Sequence, residues 1–507
     1  MFPGVFAATT PDALAAIMPS TGQQLTYAEL DDRSTRLANH LHGLGLRRGD
    51  CIALVSDNDL RVFEVYWAAL RSGLYITPVN NHLTAAETNF ILDDCGAQVL
   101  FASSACADSV ADSGAVASIR HRIAWGGLEG FEDYDEVLAA ASSTTPTDQP
   151  RGHDMLYSSG TTGRPKGIRP PLPEGQVDEV PDIYTAIFAP MYGFDASTVY
   201  LSPAPLYHAA PLRYCGMTQS VGGTVVVMDR FDAETALSLI DEYRATHSQW
   251  VPTMFVRMLK LPAEVREKYD VSSMKVAIHA AAPCPVHIKQ AMIAWWGPVI
   301  EEYYSSTEAV GATFINSEQA LAHPGSVGKP LLGVIHVCSD DGADLPVGET
   351  GTVYFEREAQ AFEYHNDPDK TRAAQHPEHP LWATTGDVGH VDDDGFLYLT
   401  DRKAFMIISG GVNIYPQEAE NVLIGHPAVF DVAVIGVPND EFGEEVKACV
   451  ELERGVEPSD ALAEELIEFT RASLAAYKAP RTIDFVDELP RTPTGKLVKR
   501  ELTKLYK

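Results

Sequence analysis

Two patterns alternate through the first hundred residues, and their alternation limits the fold more than any composition does. Thr26 and Glu29 stand at capping-box spacing, and Leu30, Leu37, Leu41 and Leu44 then form a helical stripe that stops at Gly45. The next run, "CIALVSD" (51–57), has no polar face and reads as a buried strand. A helix follows through Val62, Tyr66 and Leu70, then the strand "YITPV" (75–79). Thr84 and Glu87 repeat the capping spacing before another helix, and "QVLFASS" (98–104) is the next strand. The cycle returns with "TVVVMD" (224–229), an amphipathic helix from Asp232, and "SQWVP" (248–252). Apolar strands separated by helices imply parallel sheets covered on both faces, so the expected class is α/β.

Near residue 400 the texture changes. After "GFLYLTDRK" the chain runs strand, strand, helix, strand: "VFDVAVIGV" (429–437), "VKACVEL" (446–452), a helix over about 459–475, and "RTIDFVDEL" (481–489). The predicted organisation is a large N-terminal domain of parallel and mixed sheets, 1–401, followed by a small α+β C-terminal domain, 402–507. Residues 168–182, "IRPPLPEGQVDEVPD", are rich in proline and acid and read as an exposed loop. A length of 507 residues suits three or four folded units at about 100–200 residues each. No apolar run approaches the roughly 18 residues of a membrane span, so no integral membrane association is expected. The opening "MFPGVFAATTPDALAAIM" lacks a basic n-region and a clean cleavage site. The seven cysteines are scattered with no C-x-x-C pair, which argues against a disulfide framework or a zinc site and for a reducing cytoplasm. A net charge of −32 disfavours nucleic acid and anionic membrane surfaces as partners. An anionic substrate would need Lys, Arg and backbone N–H groups placed locally. A cytoplasmic enzyme is expected.

The stretch "SSGTTGRPKG" (158–167) speaks most directly of chemistry. Ser158, Ser159, Thr161 and Thr162 offer hydroxyl donors, Gly160 and Gly163 let backbone N–H groups turn toward an anion, and Lys166 adds a charge. It is not a Walker loop: counted from Gly160, Pro165 takes the place of the second glycine, and Gly167 rather than a hydroxyl residue follows Lys166. A Ser/Thr/Gly cluster is also what an ordinary surface loop looks like. Farther on, "EYYSSTEA" (302–309) pairs aromatic rings with Glu308, a hard oxygen donor suited to magnesium. "TTGDVGHVDDDGFLYLTDRK" (384–403) holds Asp387, whose carboxylate can accept from both hydroxyls of a ribose, and Arg402. "PRTPTGKLVKREL" (490–502) places Lys496 after a glycine on a polar turn. Read singly, these are a solvated acid, a turn residue and an exposed lysine. Their joint occurrence in this order is much harder to dismiss.

The segments resemble the adenylate-forming superfamily of acyl-CoA synthetases, firefly luciferase and the adenylation domains of peptide synthetases. The resemblance runs from "LTYAELDDRSTRLA" to "PTGKLVKREL", and "SGGVNIYPQEAE" (409–420) looks most like acyl-CoA synthetases. It implies ATP, Mg2+ and coenzyme A. The loop would cradle the β- and γ-phosphates of ATP while a carboxylate attacks the α-phosphate, so it need only clasp departing pyrophosphate. Tyr304 would stack on adenine, with Ala281, Ala282 and Pro283 of "AAAP" along the other side. Thr307 would face the α-phosphate, Glu308 hold magnesium, and Asp387 and Arg402 bind the ribose hydroxyls. Lys496 would bridge the substrate carboxylate and the α-phosphate, where a fixed cation offsets the repulsion of two anions. The C-terminal domain would then rotate about residues 402–404 and open a pantetheine channel past Gly410 and Gly411. Two departures stand out: Ala404 replaces the usual Asp or Lys of the hinge, and Ser305 replaces a usual glycine.

The resemblance also implies that His208, in "PLYHAAPL" (205–212), sits beside the reacting carboxylate and the mouth of the CoA channel. An acyl pocket lined by Ala209, Ala210, Val310 and Gly311 would be apolar and roomy. It would suit a medium- or long-chain aliphatic acid or a bulky cyclic one. The leading expectation is an ATP-dependent acyl-CoA synthetase acting on a small-molecule carboxylic acid. Alternatives are an aryl or cinnamate-type CoA ligase, or an adenylating enzyme that loads a carrier-protein thiol. A luciferase-like monooxygenase shares these motifs, and a nucleotide-binding module that has lost catalysis is disfavoured by intact Lys496, Glu308 and Asp387. A homodimer stays open.

Overall fold

The computed structural model describes residues 2–110, 114–158, 165–402, 405–409, 412–439, 442–491 and 497–506. The early alternation builds a six-stranded sheet in the order Glu132–Asp133, His121–Trp125, Ala97–Ser103, Cys51–Val55, Tyr75–Val79, His153–Asp154. Every pairing in it is parallel. The helix Tyr27–Gly43 opens with the reciprocal capping box of Thr26 and Glu29, and Thr84 and Glu87 do the same for Ala85–Asp94. Such a cap satisfies orphan N–H groups and is worth about 1 kcal/mol. Leu30, Leu37 and Leu41 are fully buried, and the chain turns out of the helix at Gly45 with φ +98°.

A second, larger sheet has a parallel centre: Leu14–Met18, Thr224–Val227, Val199–Ser202, His247–Trp250, Val276–His279 and Ile300–Ser305. Beyond Ile300–Ser305 it continues antiparallel through Ala312–Ile315, Ser326–Leu332, Leu397–Arg402, Asp387–Val391, Gly351–Glu356 and Val334–Cys338. The strand Ile300–Ser305 is therefore where one ladder type gives way to the other. It is also where most of the motif residues gather.

The C-terminal strands form a separate sheet, with Val429–Asn439 and Gly443–Leu452 antiparallel and Thr482–Val486 added parallel to the latter. The helix Pro416–Leu423 and the helix Asp460–Arg471 close over its core of Val432, Val434, Ala448 and Leu466. Lys260 reaches this unit from the N-terminal part, donating to the Val429 carbonyl at 2.6 Å and pairing with Glu453 at 2.5 Å.

The stretch 168–182 differs from its reading as a free exposed loop. Ile168 and Arg169 belong to the strand Lys166–Arg169, and Val177 is fully buried. The Gly175 carbonyl accepts from Arg151 N at 3.0 Å, and the buried Arg151 guanidinium donates to the Val177 carbonyl at 3.0 Å. A proline-rich composition reports poor ladder formation, not exposure, and one buried arginine is enough to pin the segment. Among the described residues no helix is long and apolar enough to cross a membrane.

Candidate active site

Strand Ile300–Ser305 points alternate side chains to opposite faces, as a pleated strand must. Tyr304 turns its ring toward Phe355 of the strand Gly351–Glu356, at 6.2 Å between centres. Its hydroxyl donates to Asp387 Oδ2 at 2.6 Å, and the Thr385 hydroxyl donates to the same oxygen at 2.7 Å. Asp387 is buried and lies opposite Arg402 in the ladder that joins their two strands. Two residues back on the same face, Glu302 is buried against Lys289, with His279 Nδ1 3.8 Å from its carboxylate. Burial, and then the Lys289 charge, hold the His279 imidazole well below its usual pKa and so neutral.

After Ser305 the chain makes a tight turn, with Ala309 N donating to the Ser306 carbonyl at 3.0 Å and Ala309 at φ +52°. Arg357 braces it by donating to the Ala309 carbonyl at 3.0 Å. This turn presents Thr307 and Glu308. The buried Glu308 accepts from the Tyr364 hydroxyl through Oε1 at 2.8 Å, while Oε2 takes no hydrogen bond from a described residue. Tyr364 belongs to a three-stranded sheet with Leu156–Ser158 and Lys166–Arg169, in register Lys166↔Ser158 and Ile168↔Tyr364. The loop of hydroxyl and glycine residues is the connection between the last two of those strands. Lys166 Nζ lies 4.7 Å from the centre of the Tyr364 ring. Burial and then the Lys370 charge lower its pKa, while Glu308 and Asp367 pull the other way. The strand ends thus bring Lys166, Tyr364 and Glu308 together at the base of the loop. A carboxylate with one oxygen fixed and the other unengaged fits a magnesium ion, which takes one or two carboxylates and completes its shell with phosphate oxygens and water.

His208 sits at the N-cap of the helix Ala209–Ser220, its ring 4.4 Å from that of Tyr207, and Ala209 and Ala210 form the first turn. Ala281, at φ +75°, Ala282 and Pro283 follow the strand that pairs with Ile300–Ser305. The four residues read as an acyl pocket fall in two places. Ala210 packs against the core that contains Phe188 and Tyr214, whereas Val310 is buried beside Phe355, and a Cβ on Gly311 would stand 2.0 Å from Phe355. Ser158 and Arg402 are placed as strand residues. Ser159, Gly160, Thr161, Thr162, Gly163, Ala404, Gly410, Gly411 and Lys496 lie outside the described residues.

Sequence reasoning did not single out Tyr364 or Thr385, which carry no spacing signal of their own. It also missed what covers the other face of Ile300–Ser305. There Tyr303 meets Phe188 at 5.5 Å and Tyr214 at 6.2 Å between ring centres. Tyr184, Phe188 and Tyr192, four residues apart on the helix Ile183–Tyr192, stack in a row at 6.0 and 5.8 Å. The i, i+4 spacing could have flagged that row as one helix face, though not what it faces. Arg213 locks its end: the guanidinium donates to the Tyr184 hydroxyl at 2.6 Å, lies 4.3 Å from that ring, and pairs with the buried Asp154 at 2.6 Å. Although burial alone would raise the Asp154 pKa, Arg213 and His153 hold it well below the usual carboxylate range.

The family model for AMP-binding enzymes matches residues 5–365, and the model for the AMP-binding enzyme C-terminal domain matches residues 418–496. The chain is 32% identical to a long-chain-fatty-acid–CoA ligase of Mycobacterium tuberculosis over 99% of its own length and 97% of that protein. It is 33% identical to a feruloyl-CoA synthase of Amycolatopsis, covering 96% of this chain and 94% of the relative. The solved structure of o-succinylbenzoate CoA synthetase from Bacillus subtilis, in complex with its acyl-adenylate intermediate, superposes with a TM-score of 0.81 at 27% identity, over 99% of this chain and 97% of that one.

Proposed function

The chain belongs to the family of AMP-binding enzymes, and on that premise we propose which residues act and how. The protein is an AMP-forming acid–thiol ligase, an acyl-CoA synthetase that uses ATP and coenzyme A. In the first step a substrate carboxylate oxygen attacks the α-phosphorus, the bond to the β-phosphate oxygen breaks, and pyrophosphate leaves. In the second, the CoA thiol gives up its proton and attacks the acyl carbon, and AMP leaves. Tyr304 stacks on adenine against Ala281, Ala282 and Pro283, while Asp387 and Arg402 take the ribose hydroxyls. The hydroxyls and backbone N–H groups of 158–163, with Lys166, receive the β- and γ-phosphates. Glu308 would hold Mg2+, which when bound neutralises phosphate charge, and Thr307 faces the α-phosphate. Lys496 bridges the two reacting anions, and His208 stands by the carboxylate.

One observation carries this reading: residues distant in sequence converge on one strand end, with Tyr304 and Thr385 both donating to Asp387 Oδ2 and Lys166, Tyr364 and Glu308 meeting beside them. That arrangement supports reading Asp387 as a diol acceptor, Tyr304 as an aromatic face and Glu308 as a metal-competent carboxylate. We further assign the thiol step to a rotation of residues 402–507 that brings Gly410 and Gly411 alongside the pantetheine arm. The seven free cysteines and the strongly acidic composition favour the cytoplasm.

Exchange of labelled pyrophosphate into ATP tests the assignment. It should require both a carboxylic acid and Mg2+, and should be followed by thioester formation when CoA is added. Glu308→Gln should raise the Mg2+ needed for half-maximal exchange. Exchange that is indifferent to carboxylic acid would refute the ligase roles.

A further inference from the structure

The acid side of strand Ile300–Ser305 has a shape and a polarity that narrow the substrate. Ala210, Tyr184 and Tyr303 are the half-buried surface of a core whose next layer is Phe188, Tyr192 and Tyr214, so a group entering beside His208 and Ala210 meets ring faces. These faces are rigid. Tyr184 is held by Arg213, Phe188 lies between Tyr184 and Tyr192 with interplanar angles of 18° and 8°, and Tyr214 stacks on Tyr200 at 6.1 Å.

The layer behind these ring faces is polar. Tyr192, Tyr200 and Tyr214 are 3%, 0% and 4% exposed, yet no well-formed hydrogen bond reaches any of their hydroxyls, although those of Tyr192 and Tyr214 face each other. Tyr214 lies within electrostatic reach of Tyr192, Tyr200 and Tyr303, so the four phenol oxygens form one cluster. Buried hydroxyls are nearly always paired in native proteins, and an alkyl terminus pushed against them would offer no partner. Flat ring walls with hydroxyls at the far end match a planar acid that carries its own oxygen there.

Resting on the acyl-CoA ligase reading, we propose that the preferred substrate is a compact aromatic carboxylic acid bearing a hydroxyl or ether oxygen distal to the carboxylate, and not a long-chain fatty acid. The test is pyrophosphate exchange and thioester formation with the full chain on matched acids: benzoate and para-hydroxybenzoate, cinnamate and para-hydroxycinnamate, octanoate and hexadecanoate. The expected kcat/KM for the better hydroxylated acid exceeds its plain partner by about tenfold, as one buried hydrogen bond allows, and exceeds hexadecanoate by more. Tyr214→Phe keeps the ring and removes one hydroxyl. It should cut the hydroxylated-to-plain ratio severalfold while leaving the KM for ATP in place. Hexadecanoate or octanoate as the best substrate would overturn the proposal while leaving the ligase reading intact, and so would an unchanged ratio in Tyr214→Phe with plain acids preferred. Absence of exchange with every acid, in protein that binds ATP, would overturn the ligase reading itself.

Discussion

Strand Ile300–Ser305 separates two regions built on opposite principles. On the Tyr304 face the polar contacts are side chain to carboxylate: two hydroxyls on Asp387, one on Glu308, a buried lysine on Glu302. On the Tyr303 face the contacts are rings against rings, with several hydroxyls unsatisfied and no residue uniquely responsible. On the proposed assignment, the first arrangement serves a ligand that never changes, since every turnover presents the same nucleotide, and the second serves the variable acid, whose shape is read by a surface. Changes on the Tyr304 face should therefore slow all acids alike, and changes to the rings of the Tyr303 face should reorder them.

The harshest way to break the ring face is Phe188→Ala. Phe188 is 5% exposed and stacked between two tyrosines, and truncating a buried phenylalanine costs about 3–5 kcal/mol. Chemical denaturation should show that loss, and the surviving enzyme should accept longer or bulkier acids with its KM for ATP unmoved. A change confined to ATP affinity would place Phe188 on the wrong side of the divide.

On the nucleotide side the largest effect is expected from Lys496→Ala. Removing one preorganised charge at the transition state should lower adenylation by about a hundredfold or more, for every acid in the same proportion. Thioester formation from supplied acyl-AMP should largely survive. Equal losses in both half-reactions would undo the assignment of the lysine to adenylation alone. Asp387→Ala comes next. A hydrogen bond to a charged acceptor is worth about 1.5–3 kcal/mol, so losing the ribose diol's acceptor should raise the KM for ATP by about tenfold to a hundredfold. The ranking of acids should stay as it was, and 2′-deoxy-ATP should be a poor substrate for the wild type. Equal use of ATP and 2′-deoxy-ATP would remove the ribose role.

The same divide explains what could be read from the sequence. The two capping boxes at Thr26 and Thr84 and the parallel strands at 51–57 and 75–79 were legible because their signals are local, set by neighbours three or four residues apart. Tyr304, Glu308 and Asp387 stood out because each sits in a short run whose residue types serve one chemistry. Tyr364 and Thr385 did not, since a tyrosine holding a carboxylate has no required neighbours in sequence. The ring face was illegible for a further reason. Tyr184, Tyr214 and Tyr303 come from two helices and a strand far apart in the chain, and only the parallel sheet brings them within reach of one another. Ala210 packs against one core and Val310 lies in another, a placement that their positions near the motifs do not reveal.

The smallest expected effect comes from a change on the ring face that touches no ring. Glu301 shares that face and lies within electrostatic reach of Tyr192. Burial without a compensating cation pushes its carboxyl up to about 7. A folded pKa above the unfolded one means the native state holds the proton more tightly. Stability from this group is then complete below pH 4.5 or so and is lost as pH rises toward 7. The whole shift would amount to about 3 kcal/mol, but the group is partly exposed and solvent screening reduces that to about 1 kcal/mol. Glu301→Gln cannot ionise, so it should be more stable than wild type at pH 8 by about that amount and nearly equal to it at pH 4.5. Urea unfolding of both proteins at the two pH values measures this directly. Acid selectivity should not change, because the substitution keeps the shape of the wall and leaves its phenol hydroxyls alone. A Glu301→Gln variant that lost stability at pH 8 would show instead that the charged carboxylate has a partner on this face.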